Sequence, residues 1–251
     1  MGGLFIIFNK RIIEILVIIN ILLFSLITVK AESLKESNSN DVAYGYINND
    51  TTYTYYPHDE VLNLISETIY TGEKVKVVNH KTVNGYKKII HNNEYVWIKK
   101  EFISNTKLQT VTYNLSHHTR KSYMDFRTIT NKSSDQYKMQ YGYAYTGNNG
   151  IRMVNGRYCI AVGSYFSQTI GTKIDLVIRQ NDGSENIVRC ILGDCKANIH
   201  TCGNNIYGLD GGIVEFIVTT EMLSSKAQTM GDVSYTDPTL EGDIVGVITY
   251  K

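Results

Sequence analysis

Short runs in which hydrophobic and polar residues alternate dominate this chain, and they read as strands. Between residues 42 and 104 five such runs follow one another: VAYGYI, TYTYY, KVKVVNH, GYKKIIHN and EYVWIKKEFI. Turn signals separate them at Thr71-Gly72-Glu73, Asn84-Gly85 and Asn92-Asn93. That density of strands predicts a small barrel. From Tyr123 onward the pattern predicts YKMQYGYAYT, GRYCIAVG, KIDLVIR, NIVRCILG, IVEFIV and DIVGVITY as strands, with one short helix around Glu221–Ala227. Asn148-Asn149-Gly150 and Asn181-Asp182-Gly183 are hairpin signals, the second lying between KIDLVIR and NIVRCILG. Closing six strands into a barrel would remove their exposed edges. The expected fold is therefore all-β with two domains, 42–104 and 123–251. Residues 105–122 lack clear periodicity and read as a linker, or as a lead-in strand that packs on one of the domains.

The first 31 residues change the picture of location. Lys10 and Arg11 precede an almost unbroken apolar stretch, Ile15–Val29, and Val29-Lys30-Ala31 offers small residues where a signal peptidase reads. The apolar stretch is short of the roughly 20 residues that span a bilayer, so an export signal is the favoured reading and a retained anchor the other. The expected location is secreted or cell-wall associated, with membrane contact only if this segment is kept. Residues 32–41 are a polar spacer. Without residues 1–31 the chain keeps 22 lysines and arginines against 23 aspartates and glutamates, so its formal charge moves from +1 to −1. That balance leaves no electrostatic footprint for nucleic acid.

The four cysteines (Cys159, Cys190, Cys195 and Cys202) form no C-x-x-C pair, which argues against zinc. Cys159 and Cys190 lie in apolar runs and read as buried thiols. Cys195 and Cys202 flank a loop and are the better candidates for a disulfide in an exported protein. The pair His117-His118 has no nearby carboxylate to complete a metal site, and neighbouring residues point in different directions. No metal and no cofactor is expected.

Residues 70–78 (YTGEKVKVV), 83–89 (VNGYKKI) and 92–103 (NNEYVWIKKEFI) resemble the bacterial SH3-like domain of secreted cell-wall proteins. They correspond to that family's G-x-x-V-x-V, N-G-W-x-K-I and G-x-x-G-W-V elements, with Tyr86 where Trp is usual and Asn93-Glu94-Tyr95 in place of the glycine pair. Trp97 reads as the anchor of that barrel's core rather than as a ligand platform. Residues 158–250 resemble the six-stranded double-psi β-barrel of the 3D domain, a fold also found in cell-wall lytic transglycosylases. The strand order runs through IAVGSY (160–165), IGTKI (170–174), CILGDCKANI (190–199) and IVEFIV (213–218). The resemblance places Asp194 on the family's D-T-G-G aspartate, Glu215 on a second conserved acid, and Lys173 beside the lysine that can follow G-T. Gly163 stands where the family carries the aspartate of A-V-D-P, and Cys195-Lys196-Ala197 replaces T-G-G.

What this implies is a peptidoglycan-active protein. Glycosidic cleavage needs a proton on the leaving oxygen, so an acid must stay partly protonated near neutral pH. A carboxyl at the end of an apolar run can be desolvated and have its pKa raised. Asp194 is the expected acid/base, with Glu215 or Lys173 tuning it or holding a substrate hydroxyl. Tyr165 is a candidate for stacking a sugar ring, and Lys196 and His200 for lining the cleft. Each has a plainer reading: Asp194 as a turn former, Glu215 and Lys173 as solvated strand residues, Tyr165 as rim packing, and the Lys196–His200 loop as solvated. Asp125 and Arg127 fit an ion pair as well as a site. Cys159, in a strand-like run, does not read as a nucleophile. The alternative to an enzyme is a non-catalytic cell-wall-binding or surface interaction protein that keeps the barrel.

Overall fold

A computed structural model describes residues 42–57, 67–118 and 120–250. The expected export signal (1–31) and the polar spacer (32–41) lie outside the described residues. The chain divides into two compact units, the break falling after Lys107. Both are built on β-sheets, and the all-β expectation holds.

The first unit contains β1 (Val42–Ile47), β2 (Thr51–Thr52), β3 (Thr68–Ile69), β4 (Lys74–Val83), β5 (Tyr86–His91), β6 (Glu94–Lys99) and β7 (Ile103–Ser104). Five of them form an antiparallel sheet in the order β6-β5-β4-β1-β7, and β2 pairs with β3. The two Asn-rich turns read from the sequence are hairpins. Asn84 and Gly85 take φ of 49° and 83°, and Asn92 and Asn93 take 48° and 62°. Positive φ at both central positions matches the right-handed strand twist, which is why Asn and Gly stand there. Ile47, Ile69, Ile89, Val96 and Ile98 are fully or almost fully buried in the core between these strands. Trp97 is not the anchor of that core. Strand alternation sends Val96 and Ile98 inward and leaves Trp97 on the other face, half-buried, with its backbone bridged to Thr54 and Lys88 Nζ 5.8 Å from its ring.

The second unit opens with β8 (Thr110–His118) and β9 (Ser122–Asp125), followed by helix α1 (Asp135–Gly142). Then come β10 (Tyr145–Thr146), β11 (Arg152–Val154), β12 (Arg157–Val162), β13 (Lys173–Arg179) and β14 (Glu185–Cys195). A small ladder, β15 (Thr201–Cys202) with β16 (Tyr207–Gly208), precedes β17 (Val214–Val218), helix α2 (Ser225–Met230) and β18 (Asp243–Tyr250). The main sheet has nine strands rather than the six expected, in the order β10-β11-β12-β14-β13-β18-β8, with β17 joining β12 to β9. Segment 105–122 is therefore mostly a strand: β8 runs along β18, and the same chain continues into β9 beside β17. β8 and β9, close in sequence, thus stand at two different ends of the sheet.

YKMQYGYAYT is not one strand. Its first part is helix α1, because the Ser134 side chain caps the Tyr137 amide, Asp135 pairs with Lys138, and the rings of Tyr137 and Tyr141 stack at 4.1 Å one turn apart. Only Tyr145 and Thr146 extend as strand. The hairpin at Asn181-Asp182-Gly183 forms as read, β13 pairing with β14 from Lys173↔Ile191 to Arg179↔Glu185.

Two parallel pairings, β12 with β14 and β9 with β17, lie among the antiparallel ones. Consistent with that central place, Cys159–Val162 is buried on both faces. Ile160, Leu176, Leu192 and Phe216 meet in the main core. Inside the sheet sits a charged knot. Arg157 Nη1 donates to Asp175 Oδ1 at 2.6 Å and Arg189 Nη1 to Asp175 Oδ2 at 2.6 Å, while the Tyr250 hydroxyl also donates to Oδ2. Arg157 and Asp175 are fully buried, so each charge depends on the other.

Candidate functional site

The candidate site begins with a defect in strand β14. Ile160 of β12 pairs with Leu192, but its neighbour Ala161 pairs with Asp194, so Gly193 is an extra residue in the ladder. A β-bulge of this kind changes the alternation of side chains and re-aims the residue that follows. Without it, Gly193 would hold the rung opposite Ala161. Glycine suits the place: a Cβ there would come within 2.7 Å of Ile217 Cδ1 and 2.9 Å of Gln140 Nε2.

Ala161 also pairs with Glu215 on its other side, and Glu215 with Ser122 of β9. Asp194, Ala161 and Glu215 therefore share one rung across three strands. Two interstrand spacings separate the acids, roughly 10 Å between their Cα atoms, and the small side chain of Ala161 leaves the space between them open. Both acids line an open cleft of about 540 Å³, with Met124, Ala161, Lys196 and His200. The loop that carries β15 and β16 supplies a further wall through Gly208, Leu209 and Asp210. At Gly208 a Cβ would sit 2.6 Å from Asp210 Oδ1 and 3.0 Å from Lys196 Nζ, so the missing side chain leaves room for these two groups to converge there.

The electrostatics of the two acids differ. Burial pushes the Asp194 carboxyl above the usual carboxylate range. Two neutral donors oppose this: the Cys195 amide, 2.8 Å from Oδ1, and Gln136 Nε2, 3.3 Å from the same oxygen. Burial also raises Glu215, but there the Lys196 ammonium acts in the other direction, while Asp210 and Asp194 add to the rise. Neutral donors thus oppose the rise at Asp194, whereas a counter-charge, Lys196, opposes it at Glu215. Environments that treat two carboxyls differently are the physical basis for dividing acid and base roles.

Of the residues expected from sequence, Asp194, Glu215, Lys196 and His200 come together in this cleft. Tyr165 and Lys173 are not among its lining residues. Tyr165 is 41% exposed and packs edge-on against Tyr113 and Phe166, at 5.3 and 5.4 Å. Lys173 opens β13 opposite Ile191. Sequence reading missed Asp210, Ala161 and Gln136. Asp210 lies in a polar loop with no periodicity, and Gln136 just before a run, Tyr137–Thr146, that reads as strand although its start is helix. A lone glycine inside the apolar run IVRCILGDC was the available sign of the bulge.

The other groups considered resolve as structure. All four cysteines are free thiols: Cys195 Sγ approaches the Gln168 carbonyl at 3.6 Å and Cys202 Sγ the Gly208 carbonyl at 3.8 Å. Burial raises the Cys159 thiol to about 11, and its strand position fits no nucleophile. Arg127 bridges Asp125 at 2.7 Å and Glu221 at 2.6 Å, an ion-pair cluster outside the cleft lining. Among the described residues no group of three or more His, Cys, Asp or Glu is placed to hold a metal ion. Among them, too, no helix is long and apolar enough to cross a membrane. No protein-family model, curated protein or solved structure matches the chain.

Proposed function

We propose that this chain is an exported cell-wall protein that cleaves peptidoglycan glycan strands in the manner of a lytic transglycosylase, through Asp194 as single acid/base. Its fold, in this reading, is an SH3-like module followed by a double-psi β-barrel of the 3D type. The observation that carries the proposal is the half-buried Asp194, raised by burial, opening into one cleft with Glu215. In the reaction Asp194 gives its proton to the glycosidic oxygen as the C–O bond breaks. The carboxylate so formed then takes the proton of the sugar's own hydroxyl while that oxygen attacks the anomeric carbon. No water is consumed, and the product is an anhydro sugar. Glu215, raised by burial and drawn back toward its ionised form by Lys196, stands across Ala161, where its carboxylate can stabilise positive charge developing on the ring.

One observation favours a second reading, a wall-binding protein that keeps the fold without the chemistry. At Gly163, where the resembled family carries an aspartate, a Cβ would collide with the Asn205 carbonyl, so the loop fills the space a side chain would need. The test incubates purified protein with peptidoglycan and seeks anhydro-muropeptides by mass spectrometry, with Asp194→Asn as control. Anhydro products from the wild type alone support the transglycosylase. Reducing ends without anhydro sugar point to hydrolysis by the Asp194–Glu215 pair instead. Equal absence of products from both proteins, with sedimentation on the wall retained, leaves the binding module.

A further inference from the structure

Among the described residues, the Asp194 carboxyl is held from one side only. Both of its hydrogen bonds, from the Cys195 amide and from Gln136 Nε2, fall on Oδ1. We propose that Gln136 is a positioning residue for this site, fixing Asp194 by Oδ1 so that Oδ2 is the oxygen left for the proton and the ligand. The inference rests on the reading of Asp194 as the acid of the cleft, and it assigns a role to a residue outside the cleft lining.

Three features of the helix that carries Gln136 fit such a role. Gln136 lies in the first turn of α1, set by the Ser134 cap. One turn later α1 is locked to the sheet by Arg152. Its Nη2 donates to the Gln140 carbonyl and, at 2.8 Å, to the Ala144 carbonyl, while its Nε donates to Gln140 Oε1 at 3.2 Å. Met139 and Gln140 are fully buried beneath that turn. A support of this kind holds a side chain to within a fraction of an ångström, which the orientation of a carboxyl requires.

The residue type fits as well. The first turn of a helix favours acids because of its dipole, and Asp135 is one. A glutamate at the next position would set a second negative charge against Asp194. Glutamine presents a neutral donor in the same shape. A donor to the ionised form also keeps the rise caused by burial from going too far, since hydrogen bonds to a carboxylate favour it. Burial and Gln136 thus act in opposite directions on one group.

The experiment titrates the full-length protein carrying ¹³C at its aspartate and glutamate side-chain carboxyls and follows Asp194 and Glu215 separately by NMR. Gln136→Leu is expected to raise the Asp194 midpoint by about one pH unit and to move Glu215 less, because the Lys196 ammonium beside Glu215 is untouched. Gln136→Glu, which keeps the shape and adds a charge, should raise Asp194 further. An Asp194 midpoint unchanged in both variants overturns the proposal, and so does a Glu215 shift as large as that of Asp194. Should Gln136→Leu lose its amide dispersion and prove unfolded, the near-isosteric Gln136→Glu decides by itself. The titration is independent of turnover, so a wild type that releases no anhydro product sinks the transglycosylase reading while the positioning claim is still judged by the shift.

Discussion

Asp194 and Glu215 face one another across Ala161 on a single rung of the sheet, each paired to it from a different neighbouring strand. If Asp194 delivers the proton, the rate depends on its protonated fraction. Turnover should hold below its raised midpoint and fall as pH increases through it, because the ionised carboxyl has no proton to give. Asp194→Asn should lower the rate of product release by about 100-fold or more, and Glu215→Gln by less, shifting the pH profile as a neighbouring negative charge disappears. Measured profiles of the three proteins check this. A wild-type rate that rises through the same range would assign Asp194 the opposite role.

The burial of Asp194 also bears on stability. Burial raises Asp194 in the folded state above the ordinary value of about 3.9 that applies when unfolded. Between the two midpoints the folded protein binds more protons than the unfolded one, so stability decreases with rising pH across that window and stays reduced above it. Asp194→Asn cannot ionise, and its side-chain oxygen can still accept from Gln136 and the Cys195 amide. At pH 7 the variant should therefore melt higher than the wild type, by about 1–3 °C, with the difference vanishing toward pH 3. Calorimetry at the two pH values gives the answer, and a variant that melts lower at pH 7 contradicts the buried-acid picture.

The knot around Asp175 makes a prediction of opposite sign. Asp175→Asn removes the charge that compensates Arg157, itself fully buried, and Arg189. Breaking a buried pair from one side costs about 3–5 kcal/mol, because the remaining charge is left in a poor solvent. Replacing both partners, as in Arg157→Met with Asp175→Leu, should recover a large part of that loss. Urea unfolding followed by backbone circular dichroism, run on the single and double variants, tests the non-additivity.

Local features of this fold were legible in the sequence, and those set by distant pairing were not. The turns at Asn84-Gly85 and Asn181-Asp182-Gly183 were readable because positive φ, here at Asn84, Gly85 and Gly183, selects Asn or Gly within a few positions. Asp194, Glu215, Lys196 and His200 were named from sequence and do share a cleft. The parallel pairing of β12 with β14 was not readable, since it joins segments about thirty residues apart whose apolar runs fit several registers. Asp210 enters the cleft from a loop that passes Gly208 and Lys196, and no periodic pattern marks such a loop. Trp97 was misplaced for a simpler reason: its size suggested a core, but the alternation of β6 assigns the core to Val96 and Ile98.

Gly193 connects these levels, from one residue type to the aim of a functional side chain. Gly193→Ala adds a Cβ 2.7 Å from Ile217 Cδ1, 2.9 Å from Gln140 Nε2 and 3.2 Å from Cys159 Cβ. The first two contacts are ends of side chains and can give way in part, so the fold should survive at a cost of about 1–3 kcal/mol. The geometry of the rung should not survive as well, because relief of the clash moves the bulge, and the bulge sets Asp194 opposite Ala161. The expected result is a folded protein whose Asp194 midpoint falls toward the ordinary carboxylate value as the side chain leaves its half-buried place. Glycan cleavage should drop together with it. Gly183→Ala serves as the control: it also replaces a glycine, at φ 86° and with no atom within 4 Å of the added Cβ, and should cost about 1 kcal/mol without moving Asp194. If Gly193→Ala unfolds no more readily than wild type and leaves the Asp194 titration in place, the bulge is not what aims the acid.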